Sequence, residues 1–383
     1  MNNLRLKWVL SAGLLLIGVA CHPNPLPGKS KLVSAEAKST VSAAELKQTY
    51  GQLAEYIKNG YTAYRITYHT IDVNGVEREA SGAVFVPDVK TSLPLFNYNH
   101  GTIFPSQEKQ APSYLGYSYE LIMGKLFSGA GYLVVMPDYL GYGTTKDMEH
   151  PYGAYHEIAR SVKDMLEAVG DFCKQRNILL SGKHFFSGWS EGAAVALATV
   201  KSLEEQDNKN FIPTASVVNA GPYYSSAFVH HILDADNQLK HMNTYAWILQ
   251  SYNSVYRINR PLNYYFKEPA AAALEKGPEV NIARDPQTLF TSDFINNYKE
   301  GKDTALQQAL MRNDLWDWKP ASTVVLCHGD KDEYVPIFNS QKAYEAMKTR
   351  GADVTLNVFK GKGHSGGVME FLRIAFDTFE SKR

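Results

Sequence analysis

The most constraining feature of the chain is a five-residue turn with opposite structural signals on its two sides. Gly188-Trp189-Ser190-Glu191-Gly192 follows the run His184-Phe185-Phe186-Ser187 and precedes Ala193-Ala194-Val195-Ala196-Leu197-Ala198. The first run reads as a buried strand and the second as a buried helix. Two glycines fit a tight strand-to-helix reversal in which the residue between them is held in a strained backbone conformation. A chain with this turn at its centre belongs among folds that alternate strands and helices.

The flanking sequence keeps that rhythm. Short apolar runs at Leu93–Asn99, Tyr132–Met136, His184–Ser187, Ser216–Asn219, Thr323–Cys327 and Val354–Phe359 read as strands of a buried parallel sheet. Helices fall between them, the clearest placing Ile158, Val162, Met165, Leu166, Val169, Phe172 and Cys173 on one face. The N-terminal part differs. A capping box at Ser42-Ala43-Ala44-Glu45 opens a helix carrying Leu46, Tyr50, Leu53 and Ile57. Tyr64–Ile71 and Ala80–Val86 then form an antiparallel hairpin about Asn74-Gly75. The expected fold is a mostly parallel, doubly wound α/β sheet led by an antiparallel hairpin. Its core is residues 43–221 and 320–383. Residues 222–319 break the rhythm and are expected to form an inserted, mainly helical cap without a long hydrophobic lid helix.

The first twenty residues read as a signal peptide. Arg5 and Lys7 precede an apolar stretch that ends at Gly18-Val19-Ala20-Cys21. Small residues before a cysteine resemble a bacterial lipoprotein signal, which implies lipidation of Cys21, membrane attachment, and residues 21–42 as a tether. An ordinary secretory signal is the alternative. Cys173 and Cys327 sit at apolar positions and read as core residues, neither disulfide-bonded nor nucleophilic. With 39 basic and 39 acidic residues the chain has no net charge, so nothing favours a nucleic-acid partner.

Three segments carry the chemistry. A serine on a strained turn at a helix N-terminus can act as a nucleophile if a base and an orienting acid reach it. After Ser190, two strand ends supply candidates: His328-Gly329-Asp330-Lys331-Asp332-Glu333-Tyr334-Val335-Pro336, and Gly361-Lys362-Gly363-His364. Asp332 is the expected acid, with Asp330 its rival, and His364 the expected base. The oxyanion needs donors already in place. These are expected from the backbone N–H of Glu191 and from His100-Gly101-Thr102, where Thr102 N–H is favoured over Gly101. His100 precedes the serine and is expected to orient that loop, while Asp138 shapes a turn. No zinc spacing and no phosphate-binding glycine frame is present, so neither metal nor cofactor is expected. His230-His231 reads as a cap or surface pair.

Together these residues resemble the α/β-hydrolase superfamily of serine esterases, and more narrowly the secretory lipase family. The match runs through the Tyr-Arg, Tyr-x-Thr, Asn-Gly and Val-x-Val-Pro frame of Tyr64–Pro87, then Ala111-Pro112-Ser113-Tyr114 and Gly131–Tyr139. It continues in the Ser190 turn, His328-Gly329-x-x-Asp332-x-x-Val335-Pro336 and Gly351-Ala352-Asp353. The resemblance implies a Ser-His-Asp triad under a helical cap that cleaves acyl esters of small-molecule, glycan or lipid substrates. Glu191 stands where glycine or glutamine is commoner, and is expected to narrow or charge the pocket. A carboxylesterase for short or aromatic acyl groups fits at least as well as a lipase. A serine aminopeptidase on the same scaffold is the other reading, for which Glu268 or Glu275 in the cap would have to meet a substrate amine.

Overall fold

The computed structural model describes residues 30–206 and 208–383. The signal segment and Cys21 lie outside the described residues. Nine strands form one sheet: β1 (Leu32–Val41), β2 (Tyr61–Ile71), β3 (Glu77–Pro87), β4 (Leu93–Asn99), β5 (Leu133–Pro137), β6 (Leu180–Trp189), β7 (Pro213–Asn219), β8 (Thr323–Gly329) and β9 (Val354–Phe359). Their spatial order is β1-β2-β3-β5-β4-β6-β7-β8-β9. The pairs β1–β2, β2–β3 and β3–β5 are antiparallel, and every pair from β5–β4 onward is parallel.

The strands sort their side chains to two buried faces, as a doubly covered sheet must. In β5, Leu133 and Val135 join one core cluster while Val134 and Met136 join the other. Phe186 and Phe185 of β6 split the same way. On one face pack α3 (Tyr155–Gln175), α4 (Glu191–Glu205) and α12 (Phe338–Thr349). On the other pack α1 (Ala43–Thr49), α2 (Leu121–Gly129) and α13 (Val368–Lys382). There Phe127 of α2 stacks on Phe376 of α13 with centroids 4.0 Å apart. Cys173 and Cys327 are free, buried, and on opposite faces; burial pushes both thiols up to about 12.

Three local expectations need correction. Leu32–Val41, read as part of a tether, is strand β1 at the sheet edge, paired from Leu32↔Tyr68 to Val41↔Tyr61. The helix opened by Ser42 ends at Thr49, and Gly51–Tyr56 continues as a 3₁₀ turn. The hairpin turn is wider than Asn74-Gly75, because the Asp72 carboxylate accepts from Asn74 and Val76 N–H and organises the whole reversal.

Between β7 and β8 the chain forms α5 (Ser225–Leu233), α6 (Met242–Val255), α7 (Leu262–Tyr265), α8 (Ala270–Leu274), α9 (Pro286–Leu289), α10 (Ser292–Lys299) and α11 (Thr304–Arg312). These helices bury a hydrophobic cluster of their own, which includes Phe228, Tyr252, Phe266 and Phe294. Val335, from the loop after β8, joins that cluster and ties the insertion to the carboxyl ends of the parallel strands.

Candidate active site

Ser190 occupies the turn between β6 and α4 with φ 58° and ψ −124°, a conformation that a side-chain-bearing residue holds only under constraint. The constraint is visible in the backbone. A Cβ on Gly188 would lie 2.2 Å from Gly192 O, and one on Gly192 would lie 2.1 Å from Asn99 O. Both positions therefore require glycine for steric reasons. Ser190 N–H donates to Asn219 O on the neighbouring strand at 2.9 Å, which fixes the turn to the sheet.

The loops after β8 and β9 bring Asp332 and His364 to this serine. Ser190 Oγ–H donates to His364 Nε2 at 3.0 Å, and His364 Nδ1–H donates to Asp332 Oδ2 at 2.8 Å. Trp189 Nε1–H holds the His364 carbonyl at 3.2 Å, so the turn itself secures the histidine loop. Asp332 has a fully buried side chain. Its Oδ1 accepts from Tyr334 and Val335 N–H at 2.8 and 2.9 Å, and its Oδ2 also lies 3.2 Å from His328 Nε2. Burial alone would raise its pKa, but the hydrogen bonds it accepts from His328, His364 and Val335 N–H outweigh it and hold the carboxyl well below its usual range. Asp330, the rival, is committed elsewhere: it accepts from Gly361 N–H at 2.6 Å.

His328 was part of a motif without a role. Its Nε2–H reaches Val335 O at 2.7 Å as well as Asp332, and Ser340 Oγ–H donates to its Nδ1 at 2.7 Å. It thus braces the acid from behind, wholly buried.

The His100-Gly101-Thr102 loop lies beside the serine, as expected, but its donors divide differently. Gly101 N–H is already taken by Glu120 Oε1 at 3.0 Å, which removes Gly101 from the candidate oxyanion donors. Glu120 Oε2 accepts from Tyr98 O–H, so this carboxylate anchors the loop. Among the described residues, the N–H groups of Thr102 and Glu191 have no acceptor. Two such unpaired amides beside a serine suit an incoming oxyanion. The His100 ring stacks on Tyr139 and lies within reach of Gly101 O and Asp138 O. Asp138 accepts from Ser81 Oγ–H and Ser113 N–H and is structural.

Glu191 does not present an open charge to the pocket, as its sequence position suggested. Its side chain is only 3% exposed and meets His150 Nε2 at 3.0 Å. The walls are aromatic. Tyr334 lies 4.8 Å from the His364 ring and stacks on His241 at 3.7 Å, while Trp247 of α6 stacks on Tyr152 at 4.2 Å. Thr102 Oγ1 and Tyr152 Oη are 2.8 Å apart, and Thr244 Oγ1 and Tyr334 Oη 2.6 Å. Glu268, just ahead of α8, accepts from Ala272 N–H of that helix, and Glu275 lines a separate cleft of about 690 Å³ bordered by Trp247. His230 packs against Tyr298 of α10 within the inserted helices, and His231 against Phe338 at the start of α12. Among the described residues, no group of three metal-ligating side chains converges.

Glu120, His150 and His328 escaped the sequence reading of the site. Only the spacing of His328 to Asp332 offered a local signal; the other two act on residues 19 and 41 positions away.

A family model described as serine aminopeptidase, S33, matches residues 118–366. No curated protein sequence matches the chain. Among solved structures, a Legionella pneumophila protein assigned as a hydrolase superposes with a TM-score of 0.83 at 21% identity, over 92% of this chain and 98% of that one. The rice cell wall degrading esterase LipA of Xanthomonas oryzae gives 0.81 at 21% identity, over 93% and 100%. Candida antarctica lipase A gives 0.66 at 13%, over 93% and 83%. These structures share the fold, and the family match spans well over half of the chain. The chain is an α/β hydrolase and belongs to the serine aminopeptidase S33 family.

Proposed function

We infer that the protein is a serine carboxylesterase. The observation that carries this reading is the unbroken line Ser190–His364–Asp332 with two unpaired N–H groups beside the serine. In the proposed reaction His364 Nε2 takes the Ser190 proton as Oγ attacks the ester carbonyl. The carbonyl oxygen becomes an oxyanion held by Thr102 and Glu191 N–H. His364 then gives its proton to the leaving alcohol, and an acyl-serine remains. Water, deprotonated by His364, attacks that acyl group; collapse releases the acid and restores Ser190. Asp332 stays ionised throughout and keeps the imidazole in the tautomer with hydrogen on Nδ1. Residues 222–319 serve as a cap, with Thr244 and Trp247 of α6 contributing to the walls.

Structurally similar proteins described as an esterase and a lipase support ester chemistry. The family description supports a second reading, cleavage of an N-terminal aminoacyl bond. A panel of p-nitrophenyl acetate, butyrate and palmitate, a feruloyl ester, and alanyl and prolyl arylamides tests both. Ester turnover that disappears in Ser190→Ala and His364→Ala supports the esterase. Arylamide cleavage without ester turnover sinks it.

We also place the enzyme outside the cytoplasm, with residues 1–20 as signal peptide and Cys21 as a lipidated anchor. Incorporation of labelled fatty acid that is lost in Cys21→Ala tests this; a chain with no incorporated label and no export overturns it.

A further inference from the structure

The turn that carries Ser190 also carries a carboxylate that should hinder it. Glu191 is the first residue of α4, directly after Ser190, and its backbone N–H has no acceptor among the described residues. A charged carboxylate on that residue would stand no farther than its own side chain's reach from an oxyanion held by its backbone N–H. Buried as it is, water screens it little. It would also draw on the same helix N-terminus whose field favours negative charge. Aromatic rings crowd this end of the site: Tyr139, Tyr142, Tyr152 and Trp247 lie 4.7 to 6.0 Å, between centroids, from the ring of His150, which meets Glu191. Its Oε2 has no hydrogen-bond partner among the described residues.

One residue answers this charge. His150 Nε2 lies 3.0 Å from Glu191 Oε1, and its Nδ1 lies 2.8 Å from Leu140 O, which can only accept. A ring with a single N–H beside an ionised carboxylate would turn one lone pair toward an acceptor. Satisfying both contacts takes one additional proton shared by the pair. Whether that proton rests on nitrogen or on oxygen, the two side chains together carry no net charge. The ring is 2% exposed and held in place by Tyr142, 4.7 Å away between centroids.

We propose that His150 is a positioning residue for ester hydrolysis, which holds Glu191 as half of a net-neutral pair so that no carboxylate charge opposes the oxyanion at Thr102 and Glu191 N–H. This rests on the reading of Ser190 as the nucleophile toward esters. His150 touches no reacting atom; it acts through Glu191. The placement also explains how glutamate is accommodated directly after the serine.

The test is a mutant cycle on the full chain, read with p-nitrophenyl butyrate and with a trifluoromethyl ketone that forms a tetrahedral oxyanion on serine. His150→Asn keeps a donor toward Leu140 O and removes the group facing Glu191. The expected result is a kcat at least tenfold lower, KM within threefold, and ketone affinity weakened in parallel. Adding Glu191→Gln to His150→Asn removes the charge and should regain at least fivefold in kcat. His150→Gln covers the case in which the asparagine variant does not fold: it retains a neutral donor near Glu191, and should still lose at least tenfold. A residue that merely packed would give the same loss with or without Glu191→Gln, and that result overturns the inference, as does wild-type kcat in either His150 variant. An unmutated protein that turns over no ester instead overturns the reading of Ser190 beneath it.

Discussion

Asp332→Asn tests the geometry of the site most directly. The carboxylate takes four donors: Tyr334 and Val335 N–H on Oδ1, and His364 Nδ1 and His328 Nε2 on Oδ2. Asparagine has one oxygen. Turning its NH₂ toward the backbone would orphan two buried N–H groups, each costing roughly 1–3 kcal/mol. The oxygen therefore stays with the backbone and the NH₂ faces His364. That ring must then accept at Nδ1 and carry its hydrogen on Nε2, where it cannot receive the Ser190 proton. In a Ser-His-Asp enzyme this error lowers kcat by about 10⁴, or about 5.4 kcal/mol at 1.36 kcal/mol per tenfold. Steady-state kinetics on p-nitrophenyl butyrate at pH 8 should show a kcat 10³–10⁴-fold lower (an order-of-magnitude range) with little change in KM. A kcat within tenfold of wild type would refute the assignment of Asp332. Stability should respond as well. The folded pKa of Asp332 lies below its unfolded value, so its ionised form contributes stability above about pH 4, and that contribution is lost as pH falls through the folded value. In the asparagine variant this part of the acid dependence should be missing from urea titrations at pH 3 and 7.

Other consequences can be checked separately. Glu120→Ala releases Gly101 N–H and the Tyr98 hydroxyl, and should lower kcat about ten- to a hundredfold through the loosened loop, Glu120→Gln costing less; equal losses in both would count against anchoring. Phe127→Ala removes a ring stacked on Phe376 and should cost about 3–5 kcal/mol in denaturant unfolding, while the folded variant keeps its ester kinetics. Cys173 and Cys327, whose thiols burial pushes up to about 12, should resist Ellman's reagent at pH 8 in the native protein and react after unfolding; mass mapping of the labelled peptides reads this.

The inner part of the parallel sheet was legible because strands such as β4 and β5 are buried on both faces and form short apolar runs. Leu93–Asn99, buried at every position, ends where its run ends, and the partly exposed edge strand Val354–Phe359 keeps the bounds read from its sequence. Strand β6 begins earlier, at Leu180, because Ser181-Gly182-Lys183 reach beyond the core and carry no hydrophobic signal. Strand β1 left no trace for the same reason: it exposes both faces, and a run of Ser, Ala, Lys and Thr looks the same in a strand as in a linker. Ser190, Asp332 and His364 were legible because each sits at a strand end inside a local motif. Glu120 and His150 were not, since what they do depends on which loops the fold brings together.

That polar edge strand also decides where the polypeptide can be trimmed. Taking Ser42, the first recognisable helix cap, as the start of the folded body would delete β1 and leave Tyr61–Ile71 as the new border of the sheet. The bared border would read Tyr-Thr-Ala-Tyr-Arg-Ile-Thr-Tyr-His-Thr-Ile, rich in aromatic and β-branched side chains, with a row of unmated amides. Such a border invites pairing with another copy of itself. Glu36 and Lys38, joined in an ion pair on β1, instead give the native border charges that discourage that contact. The ten residues that looked like slack are what keep one molecule from sticking to the next.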